Sequence, residues 1–244
     1  MTYCVGLALR DGLVLMSDTR TNAGVDNIAT FSKMHVFEKP GERVIVLLTS
    51  GNLAVTQAVV SLLREAIAAD GPEDSLMTTP TLFRAAQLVG EAIRRVFHTD
   101  GEALKEQDVP FDVSILVGGQ IKGGEMQLFQ VYSAGNFIEA TTDTPFLQAG
   151  EHKYGKPILD RAARPDMDIY DAVKLAMISM DSTLRSNLTV GMPIDLLLYR
   201  RGAFKVELRR RLDQNDSYFS MIRNRWSQAL VDAYQHLPRP DWKS

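Results

Sequence analysis

A threonine at position 2, an aspartate at 18, a lysine at 33 and a glycine at 51 have the clearest claim to shared chemistry in this 244-residue chain. Removal of Met1 would leave Thr2 with a free α-amine beside its own hydroxyl, a pairing that activates a hydroxyl nucleophile. An α-amine has an ordinary pKa of about 7.7–8.0, close to working pH, so it can accept the hydroxyl proton directly or through a water. A neighbouring ammonium would keep that amine neutral, and a carboxylate would hold the ammonium in place. Lys33 and Asp18 are the candidates for these two parts. Gly51 stands where a strand gives way to a helix, so its backbone N–H suits a developing oxyanion and the helix dipole favours negative charge there. Each residue alone has an ordinary reading: a processed terminus, an ion-pair partner of Arg20, an exposed strand lysine, a turn glycine. The joint arrangement is what points to chemistry.

The elements that must position these residues follow from the hydrophobic pattern. Two apolar runs flank Asp11-Gly12, which predicts a hairpin with a type I′ turn beginning at the second residue. Residues 21–27 are rich in turn formers. Residues 33–38 alternate as a strand, with Lys33, His35 and Phe37 on one face. Residues 43–49 form a β-branched apolar run that suits a strand buried on both faces. A helical period follows Ser50-Gly51-Asn52 to about Ala69. A second helix begins around residues 78–81, where Pro80 suits an early helical position. Strands are predicted at 111–118 and 125–132, with residues 119–124 as the turn between them. Short strands follow at 137–141 and 146–148. Residues 150–161 read as a loop leading into a helix, and residues 168–185 as a further strong helix. A hairpin across Arg201-Gly202 joins strands at 194–200 and 204–209, and an amphipathic helix covers 215–235. Segregated helices and antiparallel hairpins predict an α+β fold of two stacked sheets with helices outside. No composition shift marks a boundary, so residues 1–244 read as one domain.

Composition narrows the function classes. The net charge of −3 supplies no global basic field for nucleic acid. No apolar run approaches the ~18 residues needed to cross a membrane, and no signal-peptide pattern is present, so a cytoplasmic protein is expected. One cysteine, Cys4, rules out an intrachain disulfide and multi-cysteine metal sites. The four histidines are scattered without a close metal-ligand pair, so no metal and no cofactor is expected. Cys4 suits packing better than nucleophilic attack, and Arg209-Arg210-Arg211 suits a solvated face.

The ordered set Thr2, Gly12, Asp18-Thr19-Arg20, Gly24, Lys33 and Ser50-Gly51-Asn52 resembles proteasome β subunits and bacterial HslV. Longer stretches are similar to the Anbu family, the bacterial proteasome-related group. These begin at Ser17-Asp18-Thr19-Arg20-Thr21-Asn22, Gly51-Asn52-Leu53-Ala54, Tyr154-Gly155-Lys156-Pro157 and Ser179-Met180-Asp181-Ser182, the last continuing to Gly191. The likeness spans nearly the whole chain.

That resemblance implies an N-terminal-nucleophile hydrolase with a four-layer αββα sandwich, extended at its C-terminus by residues 212–244. It implies a threonine-type peptidase that acts through an ester on Thr2. Asp18 would position Lys33, Lys33 would tune the amine, and Gly51 would supply the oxyanion N–H. Thr21, Ser50 and Leu53 would hold substrate backbone and line its pocket. Thr189, in the 186–189 loop, would add polar support. Met1 alone precedes Thr2, so methionine aminopeptidase would suffice for activation. Two departures stand out. Lys33 lies one residue closer to Thr2 than in proteasome subunits. A Gly-Ser-Gly turn is replaced by Ala149-Gly150-Glu151-His152, without the serine hydroxyl. The family assembles as rings or lock-washer spirals, so a homo-oligomer acting on peptide or protein is expected, and an unfoldase partner is conceivable in principle. Other readings are an amidase or transferase on small amides, and an assembly scaffold with little catalysis.

Overall fold

The computed structural model describes residues 1–22, 28–69 and 74–242. Gly24 of the resemblance motif, and most of the predicted turn at 21–27, therefore lie outside the described residues.

Strand β1 (Tyr3–Ala8) pairs antiparallel with β2 (Gly12–Asp18), as the opening hydrophobic runs predict. The turn between them is not type I′, because neither Asp11 nor Gly12 adopts a positive φ. Leu9 N–H donates to the Gly12 carbonyl at 2.9 Å instead. Gly12 already belongs to β2, opposite Arg200, and a Cβ there would run into the Tyr199 carbonyl. A close strand approach, not turn conformation, demands this glycine.

Short strands β3 (Arg20–Asn22) and β4 (Ile28–Thr30) pair with each other. Thr21 and Asn22 therefore sit in a strand where turn residues were expected. Next come β5 (Met34–Lys39) and β6 (Arg43–Gly51), the latter buried along almost its whole length. Helix α1 (Leu53–Ala68) follows directly, with Asn52 as its cap. Helix α2 (Leu82–Glu106) starts later than predicted. Thr81 caps it by accepting from Arg84 N–H at 3.1 Å, so Pro80 lies before the cap rather than in the first turn.

Strand β7 (Val113–Ile121) runs three residues beyond the predicted Gly118. The expected turn glycine Gly119 pairs instead with Ile45 on β6. After it come β8 (Gln127–Val131), β9 (Phe137–Glu139) and β10 (Phe146–Gly150). Helices α3 (Lys156–Ala162) and α4 (Ile169–Ser186) lead to β11 (Ile194–Arg200) and β12 (Leu208–Leu212). The last hairpin pairs later than predicted. Phe204 takes a left-handed φ of 47°, and Val206 N–H goes to Glu38 rather than to β11. Helix α5 (Ser217–His236) completes the order.

One five-stranded sheet has the order β10-β1-β2-β11-β12 and the other β5-β6-β7-β8-β9, so the fold is α+β. Among the described residues, three apolar clusters form the core. Tyr3, Val14, Leu196 and Met180 gather the first sheet with α3, α4 and the start of α5. Ile45, Val89, Ile93 and Val117 gather the second sheet with α1 and α2. Cys4, Leu15, Val46 and Leu116 join the inner faces of both sheets. Burial of this kind contributes about 25 cal/mol per Å² of apolar surface.

A buried carboxylate on α4 helps to hold α5. Asp181 on α4 accepts from Arg223 at 2.7 Å and Arg185 at 3.2 Å. On α5 itself, only Phe219 and Ile222 are buried among the described residues. Asp181→Ala should therefore loosen this helix. An expected loss of about 1.5–3 kcal/mol, typical of hydrogen bonds to charged groups, should appear as a lower urea midpoint with an unchanged m-value.

Candidate active site

Thr2 and Asp18 are brought together by the register of the opening hairpin. Tyr3 and Asp18 lie at corresponding ends of β1 and β2, and Tyr3 N–H donates to Asp18 Oδ1 at 3.1 Å. Lys33, immediately before β5, donates from Nζ to the same oxygen at 2.7 Å and to the Arg20 carbonyl at 2.7 Å. Gly191 N–H donates to Asp18 Oδ2 at 3.2 Å. One carboxylate thus ties the strand after Thr2 to the lysine and to the 187–191 loop. Burial pushes the Asp18 carboxyl pKa upward, while the Lys33 ammonium and the N–H groups of Tyr3 and Gly191 oppose that rise. An ammonium has three N–H groups; the third on Lys33 has no protein acceptor among the described residues, and the lysine lines a cleft.

That cleft, about 600 Å³, is also lined by Met1, Thr2, Thr21, Ser50, Gly51 and Leu53. Thr2 is almost entirely buried. Gly51 ends β6 with a φ of +112°, and a Cβ there would run into the Asp112 carbonyl. Asn52 caps α1 by accepting from Ala54 N–H at 3.0 Å and Val55 N–H at 3.4 Å. The buried hydroxyl of Thr21 has no hydrogen-bond partner among the described residues.

Thr189 is placed differently from the rest. Its hydroxyl donates to Asn187 Oδ1 at 2.6 Å, and its carbonyl accepts from Asn22 at 2.9 Å. Its polar contacts run to Asn187 and Asn22, not to Thr2.

Several contributors carry no sequence signal of their own. The Arg20 carbonyl and the Gly191 N–H are backbone groups, visible only after folding. Glu151 and Asn187 are both buried, and Asn187 Nδ2 donates to Glu151 Oε2 at 3.1 Å. Glu151 sits directly after the 149–150 pair where the resemblance flags a lost serine, so its acidic replacement was the available clue. Cys4 points between the sheets, donates weakly to the Thr49 carbonyl at 3.6 Å, and has its thiol pKa pushed up by burial. Among the described residues, no group of three His, Cys, Asp or Glu is placed to hold a metal ion, and no helix is long and apolar enough to cross a membrane.

Comparison with known proteins adds three kinds of likeness. The family described as "Proteasome subunit" matches residues 2–197. A proteasome subunit beta 2 from Pyrobaculum neutrophilum is 26% identical, over 83% of this chain and 91% of that protein. Among solved structures, an Anbu (Gly-1) mutant from Hyphomicrobium sp. strain MC1 is 51% identical with a TM-score of 0.93, covering 99% of this chain and 100% of that one. Anbu from Yersinia bercovieri, described as an ancestral beta-subunit, is 46% identical with a TM-score of 0.92 over 99% and 100%. A helical assembly of the Anbu complex from Pseudomonas aeruginosa gives 48% and 0.92, over 98% of both chains.

The chain terminus itself senses this environment. Burial and the Lys33 ammonium lower the Met1 α-amine pKa, with Asp18 and Glu151 opposing. The expected outcome is an amine that titrates below the ordinary 7.7–8.0 or so. Because the folded form then holds fewer protons, stability should rise with pH between the lowered value and the ordinary one, and level off above it. Direct titration of the ¹⁵N-labelled amine, beside unfolding measured across pH 6–9, checks both parts.

Proposed function

Because the chain belongs to the proteasome subunit family, and within it to the Anbu group, we propose that it is an N-terminal threonine hydrolase that cleaves peptide bonds after loss of Met1. The observation that carries this reading is the gathering of Thr2, Lys33, Thr21, Ser50, Gly51 and Leu53 around one cleft, with Lys33 held by buried Asp18. Thr2 Oγ attacks the substrate carbonyl carbon, and the Thr2 amine takes the hydroxyl proton. The Gly51 N–H stabilises the oxyanion. When the peptide C–N bond breaks, the ammonium returns its proton to the leaving nitrogen and an ester remains on Thr2. Water then attacks the ester, and the released hydroxyl recovers its proton. Thr21, with its unpartnered hydroxyl, suits a hydrogen bond to substrate backbone, while Ser50 and Leu53 shape the adjoining pocket. Thr189 acts through Asn187.

The wider architecture fits the same reading. The three apolar clusters support a four-layer order of helices, sheet, sheet and helices within one domain of residues 1–244. Helix α5, within the extension of residues 212–244, leaves Leu230, Val231 and Tyr234 exposed, and Leu237 just after it is exposed too. Leu230 and Tyr234, four residues apart on the helix, share one apolar stripe. Together with the helical Anbu assembly, this stripe supports a homo-oligomer; we infer that its sites face an inner space. The cytoplasm is the compartment we infer for it.

Two outcomes are expected. With Met1 removed, Thr2→Ala should abolish hydrolysis of a fluorogenic peptide panel, while Thr2→Ser keeps a measurable rate. Equal activity of wild-type and Thr2→Ala protein would contradict the reading. Paired substitution Leu230→Glu with Tyr234→Glu should lower the assembly mass in analytical ultracentrifugation, with the far-UV spectrum unchanged.

A further inference from the structure

Attack separates charge at Thr2: the amine becomes an ammonium while the former carbonyl oxygen becomes the oxyanion that the Gly51 N–H meets. Lys33 and Asp18 cancel each other, and Asp18 already accepts from Tyr3, Lys33 and Gly191. Transfer of the Thr2 hydroxyl proton to the amine creates a second ammonium in a largely buried site. A buried cation without a counter-charge is costly. A carboxylate close to the terminus would favour that ammonium while the oxyanion is held elsewhere.

Glu151 lies next to Thr2 through its backbone. Strand β10 ends opposite Tyr3 at Gly150, whose φ is +84°. A Cβ on Gly150 would run into the Thr2 carbonyl and come within 2.8 Å of Ser50 Oγ. This glycine lets the chain turn so that Glu151 N–H donates to the Thr2 carbonyl at 2.7 Å. The side chain is buried, and its orientation is set by a one-way series of hydrogen bonds. Thr189 N–H and Oγ1 donate to Asn187 Oδ1 at 2.9 and 2.6 Å. A backbone N–H can only donate, so it fixes which end of the Asn187 amide faces Thr189. Nδ2 is then left facing Glu151 Oε2, which must accept. Lys153 N–H donates to the other oxygen, Oε1, at 3.3 Å. Every contact offered to this carboxyl group is a donor.

We propose that Glu151, held by Asn187 and Thr189, is a positioning residue whose carboxylate favours the Thr2 ammonium formed during attack. The role rests on the threonine-hydrolase reading, and it fills the place where a serine was expected with a charge instead of a hydroxyl. On the Met1 amine that precedes Thr2, Lys33 disfavours the ammonium, whereas Asp18 and Glu151 favour it. The role also explains why Thr189 contacts Asn187: the threonine orients the amide that orients the acid.

The test is titration of the Thr2 α-amine by NMR in Met1-processed wild-type, Glu151→Gln and Glu151→Asp proteins. Glu151→Gln should lower the amine pKa by about half a unit or more, and Glu151→Asp should restore much of the difference. An amine pKa unchanged in Glu151→Gln would overturn the proposal. In peptide hydrolysis the same glutamine variant should lose about tenfold in kcat with little change in KM, the pattern of an interaction made in the transition state. A loss carried wholly by KM would also overturn it. The titration needs no substrate, so it decides the role of Glu151 independently. The comparison of wild-type with Thr2→Ala decides the hydrolase reading.

Discussion

A buried ion pair between Lys33 and Asp18 is the interaction on which the rest of the site depends. Their side chains are only 6% and 0% exposed, so each has given up most of its hydration. Such a pair is stable only when geometry is close and the remaining polar valences are met. Here the lysine also reaches the Arg20 carbonyl, and the aspartate also accepts from Tyr3 and Gly191. Asp18 lies on β2 of the first sheet, while Lys33 precedes β5 of the second. The pair therefore crosses from one sheet to the other, at the end of the strands where the chain begins. Losing either partner would leave a buried charge unpaired, at a typical cost of about 3–5 kcal/mol.

Around that pair, backbone placement does as much as side-chain chemistry. The first strand must end close enough to β10 for Glu151 N–H to meet the Thr2 carbonyl, and only glycine fits at position 150. The second sheet must deliver Gly51 and Asn52 at the mouth of the same cleft, with α1 starting at once behind them. The 187–191 loop closes the far side through Gly191 and Asn187. Each of these segments is anchored in an apolar cluster: β1, β2 and α4 in one, β6 and α1 in another. Rigid elements thus carry the functional groups, with short junctions aiming them.

Hydrophobic periodicity made most of this architecture legible. The long alternating or uniformly apolar runs of β2, β6 and β11, and the stripes of α2 and α4, are strong signals because burial dictates both pattern and element. Glycine was the commonest source of error. Gly12 and Gly119 read as turn formers, yet both lie in strands, Gly12 because a neighbouring strand crosses too closely for a side chain. Local propensity cannot distinguish those two reasons for a glycine. In the site, the order Thr2, Asp18, Lys33, Gly51 carried a chemical logic that could be read before folding. The Arg20 carbonyl, the Gly191 N–H and the Asn187–Glu151 contact could not, because they join backbone or neutral groups far apart in the chain. Glu151 was overlooked for a related reason: its position was considered for the hydroxyl it lacks, not for the charge it brings.

The most direct measurement is peptide-level mass spectrometry of the purified protein after treatment with a threonine-directed electrophile such as a peptide vinyl sulfone. The account predicts chains that begin at Thr2, each carrying one adduct on Thr2, and no adduct when Asp18 is changed to Asn. Chains that retain Met1 and stay unmodified, or an adduct placed on any other residue, would contradict it.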